Sequence, residues 1–161
     1  MLVLGIDCGS QATGFGLVES DGRRHRARAS GTIRLPRAAQ ASFAQRLHLI
    51  HTRLTELMLA ERPDSVAIED VFYAKNVRTA LQLSHVRGVA MQAAAAQGLA
   101  VAEYSPRAIK NALTGYGNAD KTQVLHMVRS LLALEEDPET LDASDALAVA
   151  ICHLHSTPPK L

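Results

Sequence analysis

A chain of 161 residues with 47% apolar and 20% charged side chains is long enough to bury a core of its own and too apolar to stay disordered. Seventeen basic against sixteen acidic residues, a formal charge of +1, exclude a polycationic tail binder but leave room for a local basic face. Cys8 and Cys152 are too few for a disulfide framework and suit a reducing compartment. The opening MLVLGIDCGS has no basic n-region and reaches Asp7 too early for a secretory leader. No run approaches the roughly 20 apolar residues of a membrane helix. The expectation is one soluble, cytoplasmic domain over residues 1–161.

In chain order, residues 2–8 (LVLGIDC) are a short apolar run that reads as a buried strand. Gly9 to Gly14 turn the chain, residues 13–19 make a second strand, and Ser20-Asp21-Gly22 is a hairpin turn into a third over 24–34. From Ala38 to Arg62 the period becomes helical, with Phe43, Leu47, Ile50, Leu54 and Leu57 in one stripe, and Pro63-Asp64 stops it. Residues 65–69 (SVAIE) read as a buried strand of parallel type. Residues 77–97 form a helix apolar nearly all round, closed by Gly98, and residues 99–104 a fifth strand. Ser105-Pro106 is an N-cap with proline at N1; Asp120 and Gln123 resemble a capping box before a helix over 121–134. A last helix is expected from about residue 142 to 155. Three hairpin-linked strands followed by strand–helix crossovers predict an α/β fold, a five-stranded mixed sheet flanked by helices on both faces, which is the layout of the ribonuclease H-like fold.

Carboxylates carry the chemical signal. Asp7 closes one apolar strand and Glu69 another, where unpaired acids are rarely tolerated. If those strands lie side by side and parallel, both acids emerge at one end of the sheet. Asp142 and Asp145, in DASDAL, share one face of the last helix. Four converging carboxylates would repel, and two divalent cations would neutralise them; hard oxygen donors suit Mg2+ or Mn2+ rather than zinc. Such an ion pair can clamp the attacking water and leaving oxygen of a phosphodiester. Asp142 also suits the N-cap of the last helix, Asp145 a first-turn acid, and Glu69 a solvated strand end.

The charges are segregated. Residues 23–37 hold Arg23, Arg24, Arg26, Arg28, Arg34 and Arg37 without an acid; residues 71–102 hold Lys75, Arg78 and Arg87 without one; Arg107, Lys110 and Lys121 follow. One basic side would neutralise backbone phosphates, although the 23–28 run also reads as a solvated face. Phe72-Tyr73 directly follows the Glu69 strand end, where an aromatic pair can stack on an unpaired base or simply pack in the core. Lys75 and Asn76 share that loop. The segment from Gly115 to Thr122 lacks the glycine and the preceding strand of a phosphate-binding loop. His48, His51, His153 and His155 lack a third partner for zinc and read as surface or packing residues.

Across nearly the whole chain, GIDCGSQATGFGLV, AIEDVFYAKNVRTALQLSHVRGVA, EYSPRAIKNALTGYGNADKTQV and DASDALAVAICH together resemble the RuvC family of Holliday-junction resolvases. The resemblance implies a Mg2+-dependent, structure-selective DNA endonuclease of recombination and repair, with two ions per subunit and Mn2+ able to substitute. It implies that Asp7, Glu69, Asp142 and Asp145 are the metal-binding catalytic acids, Asp142 the least essential since some members carry histidine there. Asp70 is not a catalytic position of the family and would point away from Glu69. Lys110 and Lys121 match the basic residues flanking the catalytic centre, and Phe72 the residue that wedges into the junction. Tyr73, Lys75, Asn76, Arg78 and Arg107 complete the expected DNA contacts. The resemblance further implies a homodimer acting on four-way junction DNA by symmetric paired nicks, and the RuvA–RuvB branch-migration complex as a partner. The all-round apolar helix 77–97 fits a dimer, or burial between the sheet and the first helix. GIDCGSQATG also resembles the first phosphate loop of actin-like ATPases and sugar kinases, which need two such lobes.

Overall fold

The computed structural model describes residues 1–9, 11–34, 42–70 and 76–157. In order the elements are β1 (Leu2–Asp7), β2 (Thr13–Ser20), β3 (His25–Ile33), α1 (Phe43–Glu61), β4 (Ser65–Glu69), α2 (Val77–Ala96), β5 (Ala100–Tyr104), α3 (Pro106–Thr114), α4 (Lys121–Leu132) and α5 (Leu141–Ser156). The sheet order is β3-β2-β1-β4-β5. β1 pairs antiparallel with β2 and β2 with β3, while β4 runs parallel to both β1 and β5. This is the mixed five-stranded sheet expected from the element order. Among the described residues no helix is long and apolar enough to cross a membrane.

The caps explain where the helices begin. Ser42 and Gln45 form a capping box before α1, as Asp120 and Gln123 do before α4; Ser105 caps α3 with Pro106 at N1. α5 departs from the sequence reading: Thr140, not Asp142, is its N-cap, the Thr140 hydroxyl accepting the Ala143 N–H. Asp142 is thereby released from capping and stands in the first turn.

Two apolar clusters fill the two faces. Leu4, Ile6, Leu17, Val66 and Ile68 meet Ile50, Leu54 and Met58 of α1 and Val86, Ala90, Ala93 and Ala94 of α2. On the other face α5 forms the centre, and α3 and α4 pack around it through Ile109, Leu113, Val124 and Val128. α5 is buried from Ala146 to His153, and full burial of Leu147 and Ile151 contributes about 1.5–3 kcal/mol each. His153, like Ser144, is a buried polar member of the helix. Its ring bonds to the Ser65 hydroxyl at 3.0 Å and the Tyr104 hydroxyl at 2.9 Å, and burial lowers its pKa, so it is a packing histidine and not a ligand. Both cysteines are buried and unbridged.

The sheet can receive α5 this closely because its floor is glycine. A Cβ on Gly5 would lie 2.1 Å from the Ala146 carbonyl oxygen and 2.7 Å from the Ala150 nitrogen; one on Gly14 would lie 2.0 Å from the Asp142 carbonyl oxygen. Both obstacles are helix backbone, so only movement of α5 would relieve them. Gly5→Ala should therefore destabilise the fold by about 1–3 kcal/mol or more in urea unfolding. Gly31→Ala should cost distinctly less, because its Cβ meets only the tip of the Phe15 ring. Equal losses would contradict the backbone contact.

Candidate active site

The parallel register of β1 and β4 ends at Ile6 opposite Ile68, so the next residues, Asp7 and Glu69, leave neighbouring strands side by side. Alternation decides their face. Ile6 and Ile68 point into the α1/α2 cluster, which sends Asp7 and Glu69 to the α5 side. α5 meets them with its first turn, where Asp142 and Asp145 are three residues apart. All four carboxylates line one cleft of about 360 Å³, with Lys110 of α3 and Lys121 at the start of α4. Ile109, Val124, Ala148 and Val149 supply its apolar wall.

The cluster is electrostatically uncomfortable. Burial, then the charges of Glu69, Asp145 and Asp142, push the Asp7 carboxyl up to about 8. Asp7 and Glu69 hydrogen-bond, so the pair shares a proton that burial and the neighbouring acids help to retain. Glu69 and Asp145 are also raised, chiefly by burial, although Lys121 and Lys110 draw both back. Lys121 Nζ stands 3.6 Å from Asp145 Oδ2. These four carboxylates fit hard divalent cations: the donors are all oxygen, they are short of positive charge, and they share one opening to solvent. Among the described residues no three such side chains already close around a point. The cleft is an open wall of acids, in keeping with ions that take only part of their shell from protein and the rest from water and phosphate.

The basic residues divide. Arg26 pairs across from Glu19 and Glu19 from Leu2, so the 23–28 run lies at the opposite end of the strands from Asp7, about five residues or roughly 17 Å away. It is no part of the cleft, and Arg28 is paired with Glu19 at 3.3 Å. Arg34 is the exception. It follows β3 at the acidic end, and its Nη2 donates to Asp142 Oδ2 at 3.4 Å. Sequence reasoning counted it in the basic stretch without singling it out; its position just past a strand end was the available signal. Arg37, Phe72, Tyr73 and Lys75 lie outside the described residues. Arg78 and Arg107 are exposed. Asn76 is the N-cap of α2, its Oδ1 accepting the Thr79 N–H, so that oxygen is already committed to structure. Arg87 is not a DNA-facing cation: only a quarter exposed, it pairs with Glu103 and, at 3.4 Å, with Asp70. Asp70 thus points away from Glu69 toward α2.

Residues 3–153 match the family model of crossover junction endodeoxyribonuclease RuvC. Proteins of that description from Koribacter versatilis and Halorhodospira halophila are 51% and 53% identical, covering 98% and 95% of this chain and 94% and 89% of theirs. Among solved structures, Thermus thermophilus RuvC in complex with Holliday junction substrate is similar at a TM-score of 0.91 and 33% identity, over 97% of this chain and 94% of that one. The yeast mitochondrial Holliday junction resolvase shares the fold at a TM-score of 0.69 and 13% identity, over 95% of this chain and 77% of that one.

The raised Asp7 makes a signed prediction. In metal-free buffer the folded chain keeps the Asp7 proton to about pH 8, whereas the unfolded chain loses it near 3.8. The folded state binds more protons across that window, so stability falls as pH rises through it. Asp7→Asn removes the penalty. With EDTA present it should be more stable than the native chain at pH 8 by at least about 1 kcal/mol, with the gap closing toward pH 4. A variant that is less stable at pH 8 would contradict the carboxylate cluster.

Proposed function

Because the chain belongs to the RuvC family of crossover junction endodeoxyribonucleases, we propose that it resolves Holliday junctions by paired, symmetric nicking in homologous recombination and repair. It is a hydrolase of phosphodiester bonds, with water as nucleophile and 5′-phosphate and 3′-hydroxyl ends. The observation that carries this reading is the convergence of Asp7, Glu69, Asp142 and Asp145 in one cleft flanked by Lys110 and Lys121. A kinase-like ATP-binding lobe is not favoured, since a nuclease family accounts for residues 3–153.

Family membership brings dependence on a divalent metal; we assign it to Mg2+, two ions per subunit, with Mn2+ as a substitute, held by the four acids. When bound, the ions supply Lewis acidity to the phosphodiester and the positive charge that the acids lack. The chain does the rest. Asp7 and Glu69, fixed at the ends of hydrogen-bonded strands, set the depth of the site. Asp142 and Asp145, carried on one rigid helix, set its width. Lys121, held against Asp145, and Lys110, on the adjoining wall, stabilise negative charge that develops on the phosphoryl oxygens. Arg78 and Arg107 are offered as backbone contacts, and Phe72 with Tyr73 as the aromatic element that enters the junction.

α2 supports a homodimer. Its inner face is buried, but Val77, Leu81, Ser84, Gly88 and Ala95 form an exposed stripe along one side, with Val77 76% and Leu81 56% accessible. The helix is therefore not satisfied by the sheet and α1 alone, and its small residues allow a second copy to approach. A two-fold pair would offer two clefts to the two-fold junction. The RuvA–RuvB complex is the further partner that the family suggests.

Asp7→Asn should bind a four-way junction as the native chain does in metal-free buffer but lose cleavage in Mg2+ by at least about 100-fold, measured by gel shift and by product formation. Undiminished cutting would remove Asp7 from the chemistry. Leu81→Glu should sediment as a monomer at a concentration where the native chain is a dimer. A native chain that sediments only as a monomer would remove the two-fold arrangement.

A further inference from the structure

Arg34 lies outside the catalytic set, yet it touches one of the four acids. Across the sheet Asp7 faces Gly14 and Gly14 faces Thr32, so Arg34, two residues on, extends from the same row toward the mouth of the cleft. Its surroundings are held firmly. The Thr32 and Thr140 hydroxyls hydrogen-bond at 2.5 Å, tying the end of β3 to the N-cap of α5. Gly14 lies directly beneath the Asp142 backbone. The backbones that carry Arg34 and Asp142 are thus locked together, and the freedom that remains lies in the arginine stem.

The pair itself is weakly made. One guanidinium nitrogen donates to one carboxylate oxygen at 3.4 Å, and the two side chains are 56% and 37% exposed. Most of the donors of the guanidinium fork are left to water, at the rim of a cleft that must admit a phosphate chain. A cation bound at Asp142 would compete for the same oxygen and repel the guanidinium. The nearest anion for a displaced arginine would then be a backbone phosphate of the strand entering the cleft, which its planar fork can grip through two nitrogens.

We propose that Arg34 is an exchangeable counter-ion of the cleft, paired with Asp142 in the free protein and transferred to a DNA backbone phosphate when metal and junction bind. The proposal rests on the nuclease reading above and assigns that site a substrate-contacting residue.

The test uses Arg34→Gln, which keeps the stem and removes the charge, and Arg34→Lys, which keeps the charge. Mn2+ binding in the absence of DNA, followed by electron paramagnetic resonance, should tighten about two- to fivefold in Arg34→Gln, because a competitor has gone. The gain should vanish when Asp142→Asn is also present. In Ca2+, used in place of Mg2+ to keep the junction uncut, junction binding by Arg34→Gln should weaken, and the slope of log affinity against log salt should fall by about one, whereas Arg34→Lys should retain the slope. Unchanged or weaker Mn2+ binding, or an unchanged salt slope, overturns the proposal. Cleavage by the native chain and its loss in Asp7→Asn test the nuclease reading separately. With both as expected, failure of the Arg34 variants falls on this inference alone.

Discussion

The whole site depends on how closely one helix can approach one sheet. α5 lies on β1 and β2 with its backbone against theirs, at positions where any side chain on Gly5 or Gly14 would collide with helix backbone. That approach is what brings the first turn of α5, with Asp142 and Asp145, within reach of Asp7 and Glu69. A side-chain layer of ordinary thickness between helix and sheet would leave the four carboxylates in two separate pairs. The alanines and buried Ser144 of α5 serve the same end, since small side chains let α3 and α4 crowd it from its other sides.

Packing of this kind stores electrostatic cost where function needs it. The apolar core drives α5 onto the sheet, and the acids are carried into mutual repulsion and partial burial as a consequence. Asp7 is raised to about 8 by burial first and then by the charges of its acidic neighbours. Lys121 and Lys110 relieve Asp145 and Glu69 in part, and Arg34 reaches Asp142 from the other side. The free protein is therefore held together by its core and strained at its cleft, a distribution suited to a site completed by ions and a phosphate backbone.

Much of this was legible in the sequence, for physical reasons. An acid that ends a short, turn-bounded apolar run reads as a strand end, and two adjacent parallel strands place such acids together. The DxxD spacing guarantees a shared helix face. Capping at Ser105 and Asp120 follows from residue type alone. What stayed hidden depends on distant partners. Thr140 takes the cap that Asp142 also suited, and its hydroxyl also meets Thr32 across 108 positions. Arg87 reads as one more surface cation until Glu103 and Asp70 close around it. The basic run at 23–28 is continuous with Arg34 along the chain, yet strand direction carries it to the far end of the sheet. The all-round apolarity of α2 was plain, but which side lacks a partner required the position of α1.

The central claim is that these acids share one pocket, short of positive charge, that takes up hard cations. Counting the protons released when Mg2+ binds at pH 7, by calorimetry in buffers of different ionisation enthalpy, tests it most directly. Close to one proton should leave per subunit, about the occupancy expected of a carboxyl raised to about 8, and Asp7→Asn should release markedly fewer. Mg2+ uptake with a heat independent of buffer, and so no proton released, would contradict it.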